Sequence, residues 1–337
     1  MRPVASVHML SAASTGEHAH PKARLDLEQM HDAARADRFG VHRLVDDPAS
    51  ADIILFVETS WAAGYYYGDV RSHPVFREFR PKCYLFSATD KVVPFLPGVF
   101  ASIEGRWYWP AWTRSGYYPG VRERGDFRYE ADRTPSHLFS FIGAGFTHTV
   151  RQRILELEHP SCVLIDSHAE AEALEREGRP RMNASAYVQR YVDSVLDSAF
   201  VLCPRGGGTS TFRIFEAMML GRAPVIVSDQ WVPPQGPDWE SFSLRIAEDE
   251  VASVPAQLES RAGEATRMGR EARRAWLDWF SEETAFHRTV GWCLELQSAA
   301  PARAGARRYT PYIQMLRPYH AARAVAKRFG HGRGEKA

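Results

Sequence analysis

Short apolar runs alternate along this chain with stretches whose apolar positions recur every third or fourth residue. The runs suit buried strands, and the spaced stretches suit helices packed on them. Residues 4–10 predict a strand, and residues 24–36 a helix through Leu25, Met30 and Ala34. Residues 41–45 predict a weak strand. The Asp46-Asp47-Pro48 turn then leads into a strong strand at 52–57, centred on Ile53-Ile54-Leu55-Phe56-Val57. A helix at 73–79 and a strand at 82–87 follow. This alternation favours a parallel sheet with crossover helices. Ligands gather at the carboxyl edge of such sheets. The polar groups there are Glu58-Thr59-Ser60 after one strand and Ala88-Thr89-Asp90 after the next.

Residues 94–119 break the pattern. Trp107, Tyr108, Trp109, Trp112, Tyr117 and Tyr118 stand among prolines and glycines, which predicts an irregular loop. Such a loop suits either stacking on sugar rings or packing at a domain boundary. The charged stretch 123–135 places the boundary. A strand at 137–142 then runs into Gly143-Ala144-Gly145 and a helix at 147–158 that carries Arg151 and Arg153. A strand at 162–165, an amphipathic helix at 185–198, a strand at 241–246, and helices at 264–283 and 284–296 complete the second half. The reading is α/β, with a first domain at 1–134, a second at 135–300, and a basic helix or tail at 301–337, kinked at Pro318.

The stretch 200–229 organises the whole. Residues 200–203 form a short apolar run, followed by Gly206, Gly207 and Gly208. The glycines allow a sharp turn and close approach of a ligand to main-chain N–H groups. Thr209, Ser210 or Thr211 can cap the next helix, Gly221 can close it, and residues 223–228 predict a further strand. A glycine turn that feeds a helix is an anion site. Arg205 stands at its mouth, and Arg213 and Glu216 are helix neighbours. Together they suit a diphosphate, with a carboxylate for a ribose diol. Gly143-Ala144-Gly145 before an arginine-bearing helix repeats the theme.

Composition narrows the class. Of 337 residues 45% are hydrophobic and 25% charged, as in globular proteins, and the length suits two domains. A net charge of +1 argues against nucleic-acid binding through bulk charge. From Arg303 onward, however, nine Lys/Arg face one Glu. The four cysteines are far apart with no CxxC, which argues for buried thiols and no zinc site. No secretory leader and no membrane-spanning run is expected, so the predicted location is cytoplasmic, with peripheral contact at the inner membrane face. The chain lacks GxxxxGK[ST], GxSxG and HExxH, and it lacks any Asp-X-Asp pair to carry a metal-bound diphosphate.

With those classes set aside, the stretch FVLCPRGGGTSTFRIFEAMMLGRAPVIVSDQW resembles the signature of exostosin-like glycosyltransferases. Pro204-Arg205-Gly206 matches its first element. Phe212-Arg213-Ile214-Phe215-Glu216-Ala217 matches its second, and Pro224-Val225-Ile226-Val227-Ser228 its third. The segments HRLVDDPASADIILFVE and LFSFIGAG…VRQRIL are similar to further parts of the family. The resemblance implies a GT-B fold, with two facing Rossmann-like domains and C-terminal helices that cross back to the first. It also implies an inverting, metal-independent transferase without a cofactor, using a nucleotide-sugar donor, UDP-linked by preference, and a glycan or lipid-linked glycan acceptor.

Donor contacts would then come from Arg151, Arg205, Gly206, Gly207, Thr211, Arg213 and Glu216, with Asp229, Gln230 and Trp231 near the sugar. The catalytic base should come from the first domain. Asp90 is the first choice, with Glu58 and Asp69 as alternatives. A second class of reading is a catalytically silent domain that binds a nucleotide sugar. The basic tail is either a membrane-surface helix or a helix packed back on the first domain.

Overall fold

The structure is a computed structural model. It describes residues 4–14, 20–58, 67–90, 92–123, 125, 127–180, 182, 184–303, 306–318 and 320–322. Thr59, Ser60 and the whole of the tail beyond residue 322 lie outside these residues.

The first sheet has six parallel strands in the order β2-β1-β3-β4-β5-β6. They are β1 (Ser6–Leu10), β2 (Arg43–Leu44), β3 (Ile53–Glu58), β4 (Cys83–Ser87), β5 (Gly98–Phe100) and β6 (Thr113–Ser115). β3 and β4 are buried along their whole length, as continuous apolar runs in a parallel sheet must be. Helices α1 (Pro21–Ala36), α2 (Gly68–Ser72) and α3 (Pro74–Phe79) lie between the strands. α2 was not expected. Nor were β5 and β6, which sit in the segment read as a loop. Each has three residues, too few to show a period against the surrounding aromatics.

The second sheet has five parallel strands in the order β11-β10-β9-β7-β8. They are β7 (His137–Gly143), β8 (Cys162–Asp166), β9 (Ser198–Pro204), β10 (Ala223–Val227) and β11 (Leu244–Arg245). The helices are α4 (Thr149–Leu155), α5 (Ser167–Arg176), α6 (Ala184–Leu196), α7 (Phe212–Met219), α8 (Trp239–Phe242), α9 (Val254–Arg261), α10 (Ala265–Trp279), α11 (Glu282–Ser298) and α12 (Thr310–Gln314). Of the strand expected at 241–246, only Leu244–Arg245 forms an edge strand, and its first two residues end the helical turn α8. Trp239 pins that turn: its indole N–H donates to the Pro234 carbonyl at 2.8 Å, and its ring meets Trp231 and Phe242.

Both sheets reverse strand order at the same place, between their first and third strands. These are the β1/β3 and β7/β9 crevices, where open α/β sheets take their ligands. The last long helix joins the domains. α11 packs on α1 and on β3, β5 and β6 of the first sheet. The helix that crosses back thus begins at Glu282, within the segment assigned to the second domain. Two facing parallel domains with a returning C-terminal helix make the GT-B arrangement expected from the resemblance.

Tyr117 is the junction. Its buried ring meets Phe86 of β4, Phe280 after α10 and Trp292 of α11, and its hydroxyl lies 3.1 Å from Thr289 Oγ1. One apolar cluster therefore runs from Val7 and Met30 to Phe215 and Trp292, through both domains.

Local chemistry sets the signature helix. Thr211 caps α7, and Gly221 ends it with φ of +69°. A Cβ at Gly221 would also meet the Tyr129 ring. Gly221→Ala should therefore lower stability by about 1–2 kcal/mol from left-handed backbone strain alone. In urea this should appear as a lower midpoint with an unchanged slope.

Candidate functional site

The β7/β9 crevice is built on two arginines. Arg213, on α7, reaches back to the end of β7 and donates to the Ile142 carbonyl from Nε at 3.0 Å and from a terminal nitrogen at 2.7 Å. Arg151, on α4, donates to the carbonyls of Arg205 at 2.9 Å, Pro204 at 3.3 Å and Ala144 at 3.4 Å. They are only 8% and 7% exposed. Glycines make room for them. A Cβ at Gly143 would lie 2.5 Å from Arg213, and one at Gly206 would lie 2.9 Å from Arg151. Burial, and then the charge of Arg213, lower the Arg151 pKa to about 10, so it stays charged at neutral pH. The hydrogen bonds of both guanidiniums go to neutral carbonyls. Two desolvated positive charges thus underlie the glycine turn.

Arg205 stands above them. Its pair with Glu248 is long, at 3.5 Å, and its buried Nε has no hydrogen-bond partner. Glu248 is clasped to Asp229: its carboxylate accepts the Asp229 N–H at 3.1 Å, and its own N–H donates to the Asp229 carboxylate at 2.9 Å. His148 caps α4 by accepting the Val150 N–H at 3.2 Å. Burial, followed by Arg205, holds the His148 pKa below its usual value. Thr211 Oγ1 accepts from the Arg213 N–H at 3.5 Å. Glu216 accepts from the Tyr191 hydroxyl at 2.6 Å. The Tyr191 ring lies 6.0 Å from the Arg213 guanidinium, so tyrosine stands beside both members of the Arg213/Glu216 pair.

The first domain presses on this turn. A Cβ at Gly208 would lie 2.6 Å from the Asp90 carbonyl oxygen and 2.8 Å from the Asp90 Cα. Ser210 donates its N–H to Ser102 Oγ at 2.9 Å, and Thr209 its hydroxyl to the Ile103 carbonyl at 3.2 Å. Asp90, an exposed residue, lies close enough to act on both Arg151 and the buried Tyr118 hydroxyl. Tyr118 is pushed up first by burial and then by Asp90. Gln230 lies in the seam. Its backbone carbonyl accepts from Gly105 at 2.8 Å and its side-chain oxygen from the Arg106 N–H at 3.1 Å. Trp231 bridges to Glu104 and is 4% exposed. Both residues join the domains at this point, whereas Asp229 is exposed at the end of β10.

The β1/β3 crevice holds a second cluster. Glu58 ends β3 and is 1% exposed. It accepts from Ser11 Oγ at 2.9 Å and from the Ala12 N–H. Burial raises its pKa to about 7, its hydrogen bonds oppose the rise, and nearby Asp69 adds to it. Tyr67 has φ of +59°, and its hydroxyl donates to Ser87 Oγ at 2.8 Å. Non-glycine residues adopt that conformation rarely, and such strain gathers at functional sites.

The fold therefore brings Arg151, Arg205, Gly206, Gly207, Thr211 and Arg213 to one crevice with Asp90 facing them, and gathers Glu58 and Asp69 in another. Sequence reasoning missed His148, Tyr191, Glu248, Ser102 and Tyr118. His148 carried a signal, as a capping residue one position before α4. Tyr118 was in the aromatic run. Glu248 carried none, because its contact with Arg205 is purely tertiary.

Residues 125–261 match the sequence profile of the Exostosin GT47 domain. The Exostosin-1 homolog of Caenorhabditis elegans is 28% identical over 162 residues, which cover 45% of this chain and 42% of that protein. The chain thus spans less than half the length of that relative. A rice protein (Oryza sativa subsp. japonica) named "Probable glucuronosyltransferase GUT1" is 34% identical over 74 residues, covering 21% of this chain and 18% of its own length. Among solved structures, Acinetobacter baumannii MurG is similar at a TM-score of 0.36 and 11% identity, covering 80% of this chain and 94% of that one. Anabaena Alr3699/HepE in complex with UDP is similar at 0.32 and 9%, covering 89% and 98%.

Two predictions follow from the geometry. Arg151→Met leaves the carbonyls at the ends of β7 and β9 without donors, so it should lower unfolding free energy by about 2–4 kcal/mol. Arg205→Met should cost less than about 1 kcal/mol, since only one long ion pair is lost. Chemical denaturation of the two variants checks the ranking.

Glu58 makes stability pH-dependent. Its folded pKa lies above its unfolded one, so its stabilising contribution is complete below about pH 4.5 and is lost as pH rises through about 7. Glu58→Gln should therefore flatten the fall in melting temperature between roughly pH 5 and 8.

Proposed function

We propose that this chain transfers a sugar from a nucleoside diphosphate, UDP by preference, to a hydroxyl of a glycan or lipid-linked glycan, with inversion and without a metal ion. The observation that carries the reading is the arginine-braced glycine turn at the β7/β9 crevice, with Asp90 of the other domain facing it.

In the proposed reaction the acceptor oxygen attacks the anomeric carbon. The bond from that carbon to the diphosphate oxygen breaks, and its electron pair leaves with the diphosphate. Charge grows on the leaving oxygen and must be met by fixed positive groups. One close charge pair is worth about 4 kcal/mol at an effective dielectric near 20, so several groups are needed. Arg205 and the N–H groups of Gly206 and Gly207 would touch the diphosphate. Arg151 and Arg213 would act from beneath as fixed charges that need no reorganisation. Glu216, held by Tyr191, would take the ribose hydroxyls, and Asp229 would face the sugar.

Asp90 would accept the acceptor's proton. It is exposed at the seam, whereas Glu58 is sealed behind the Ser11–Ala12 turn. A single displacement of this kind inverts the anomeric carbon. The product class would be a surface polysaccharide made on the cytoplasmic side.

A screen of nucleotide sugars with glycan acceptors, read as free nucleoside diphosphate, tests the reading. Release should be acceptor-dependent and unaffected by EDTA. Asp90→Asn should reduce transfer by about 10²-fold or more while UDP binding persists. Wild-type turnover in that variant would move the base away from Asp90. UDP binding without turnover of any sugar would make the chain a silent nucleotide-sugar binder.

A further inference from the structure

The described part of the tail is docked on the first domain through one face of α12. Pro311 and Gln314 are buried, and Gln314 Nε2 donates to the Val92 carbonyl at 2.7 Å. Arg317 pairs with Glu104 at 3.2 Å. The other face is mostly exposed, with the Tyr312 ring meeting the edge of Phe95 at 5.3 Å. Tyr309, Tyr312, Ile313 and Leu316 are 52%, 55%, 60% and 79% exposed. Their spacing of three, one and three puts them on one side of a helix. Single exposed apolar residues are ordinary, but a contiguous group marks an interaction surface.

Aromatic and basic groups flank this ridge. Beside the first turn of α12 a shallow open cleft is lined by Trp107, Trp109, Trp112, Arg106 and Arg307. Trp109 and Trp112 are stacked with centroids 5.9 Å apart, and the exposed Arg307 guanidinium lies 5.7 Å from the Trp109 ring. From Arg303 onward nine Lys/Arg stand against one Glu. Among the described residues no helix is long and apolar enough to cross a membrane.

We propose that this face docks on an anionic lipid bilayer. Ile313 and Leu316 enter the acyl boundary, as the apolar side of an interfacial helix does. The tyrosines and tryptophans sit at headgroup depth, where amphipathic rings are favoured. Arg307 meets lipid phosphate at the mouth of the cleft, and the positive tail adds attraction to anionic headgroups. Charge selects this occupant over a second copy of the chain, because pairing two such faces would bring two strongly positive tails together. The docking does not depend on the transferase reading.

Flotation of the full chain with vesicles tests it. Binding should occur on vesicles of equimolar phosphatidylcholine and phosphatidylglycerol, be absent on phosphatidylcholine alone, and weaken with salt. The double variant Ile313→Asp, Leu316→Asp should bind at least about tenfold more weakly. Both positions are exposed, so its melting temperature should match the wild type, which separates lost docking from lost folding. No flotation on the anionic vesicles overturns the proposal, as does wild-type flotation of the double variant. A concentration-dependent dimer in solution, abolished by Leu316→Asp, would assign the face to self-association instead.

Discussion

Two guanidinium groups lie under the glycine turn with almost no access to water. Much of the second domain is arranged around them. Arg151 and Arg213 tie the carboxyl ends of β7 and β9 together, and glycines at 143 and 206 are needed because any side chain there would occupy their space. Charges held this deep are costly unless something compensates them. Neutral carbonyls supply part of that compensation. An anion above the turn would supply the rest, which makes the structural brace and the proposed binding site one device. On the proposed reading the signature residues are fixed twice, by the fold and by the chemistry.

The second constraint is the seam. The turn does not face solvent alone, because Gly208, Thr209 and Ser210 lie on the segment around Ser102 and Ile103 of the first domain. Gln230 and Trp231 close the same seam from the end of β10. Asp90 is thereby held opposite the arginines by backbone packing against Gly208. α11, seated on the first sheet through Thr289 and Trp292 against Tyr117, keeps the two halves in this relation.

Much of this was legible in the chain. Continuous apolar runs gave β3, β4, β7, β9 and β10, and the spacing from Pro204 to Glu216 gave the strand–turn–helix that carries the crevice. What was not legible has physical causes. β5 and β6 are too short to display a period. Amphipathic spacing in α11 declares a buried face but not the sheet that buries it. Helix spacing makes Arg213 and Glu216 neighbours, yet rotamers send one to a carbonyl of β7 and the other to Tyr191. Gln230 and Trp231 follow the signature directly, and only the tertiary structure reveals that they join the domains.

The central claim is that the braced turn binds a nucleoside diphosphate through Arg205. Isothermal titration calorimetry of UDP in the presence of EDTA, on the wild type and on Arg205→Met, tests it most directly. The account predicts saturable one-site binding to the wild type and an affinity at least about tenfold lower in the variant, which is 1.4 kcal/mol at that ratio. Equal affinity of the two proteins, or no binding of any nucleoside diphosphate to the wild type, would contradict it.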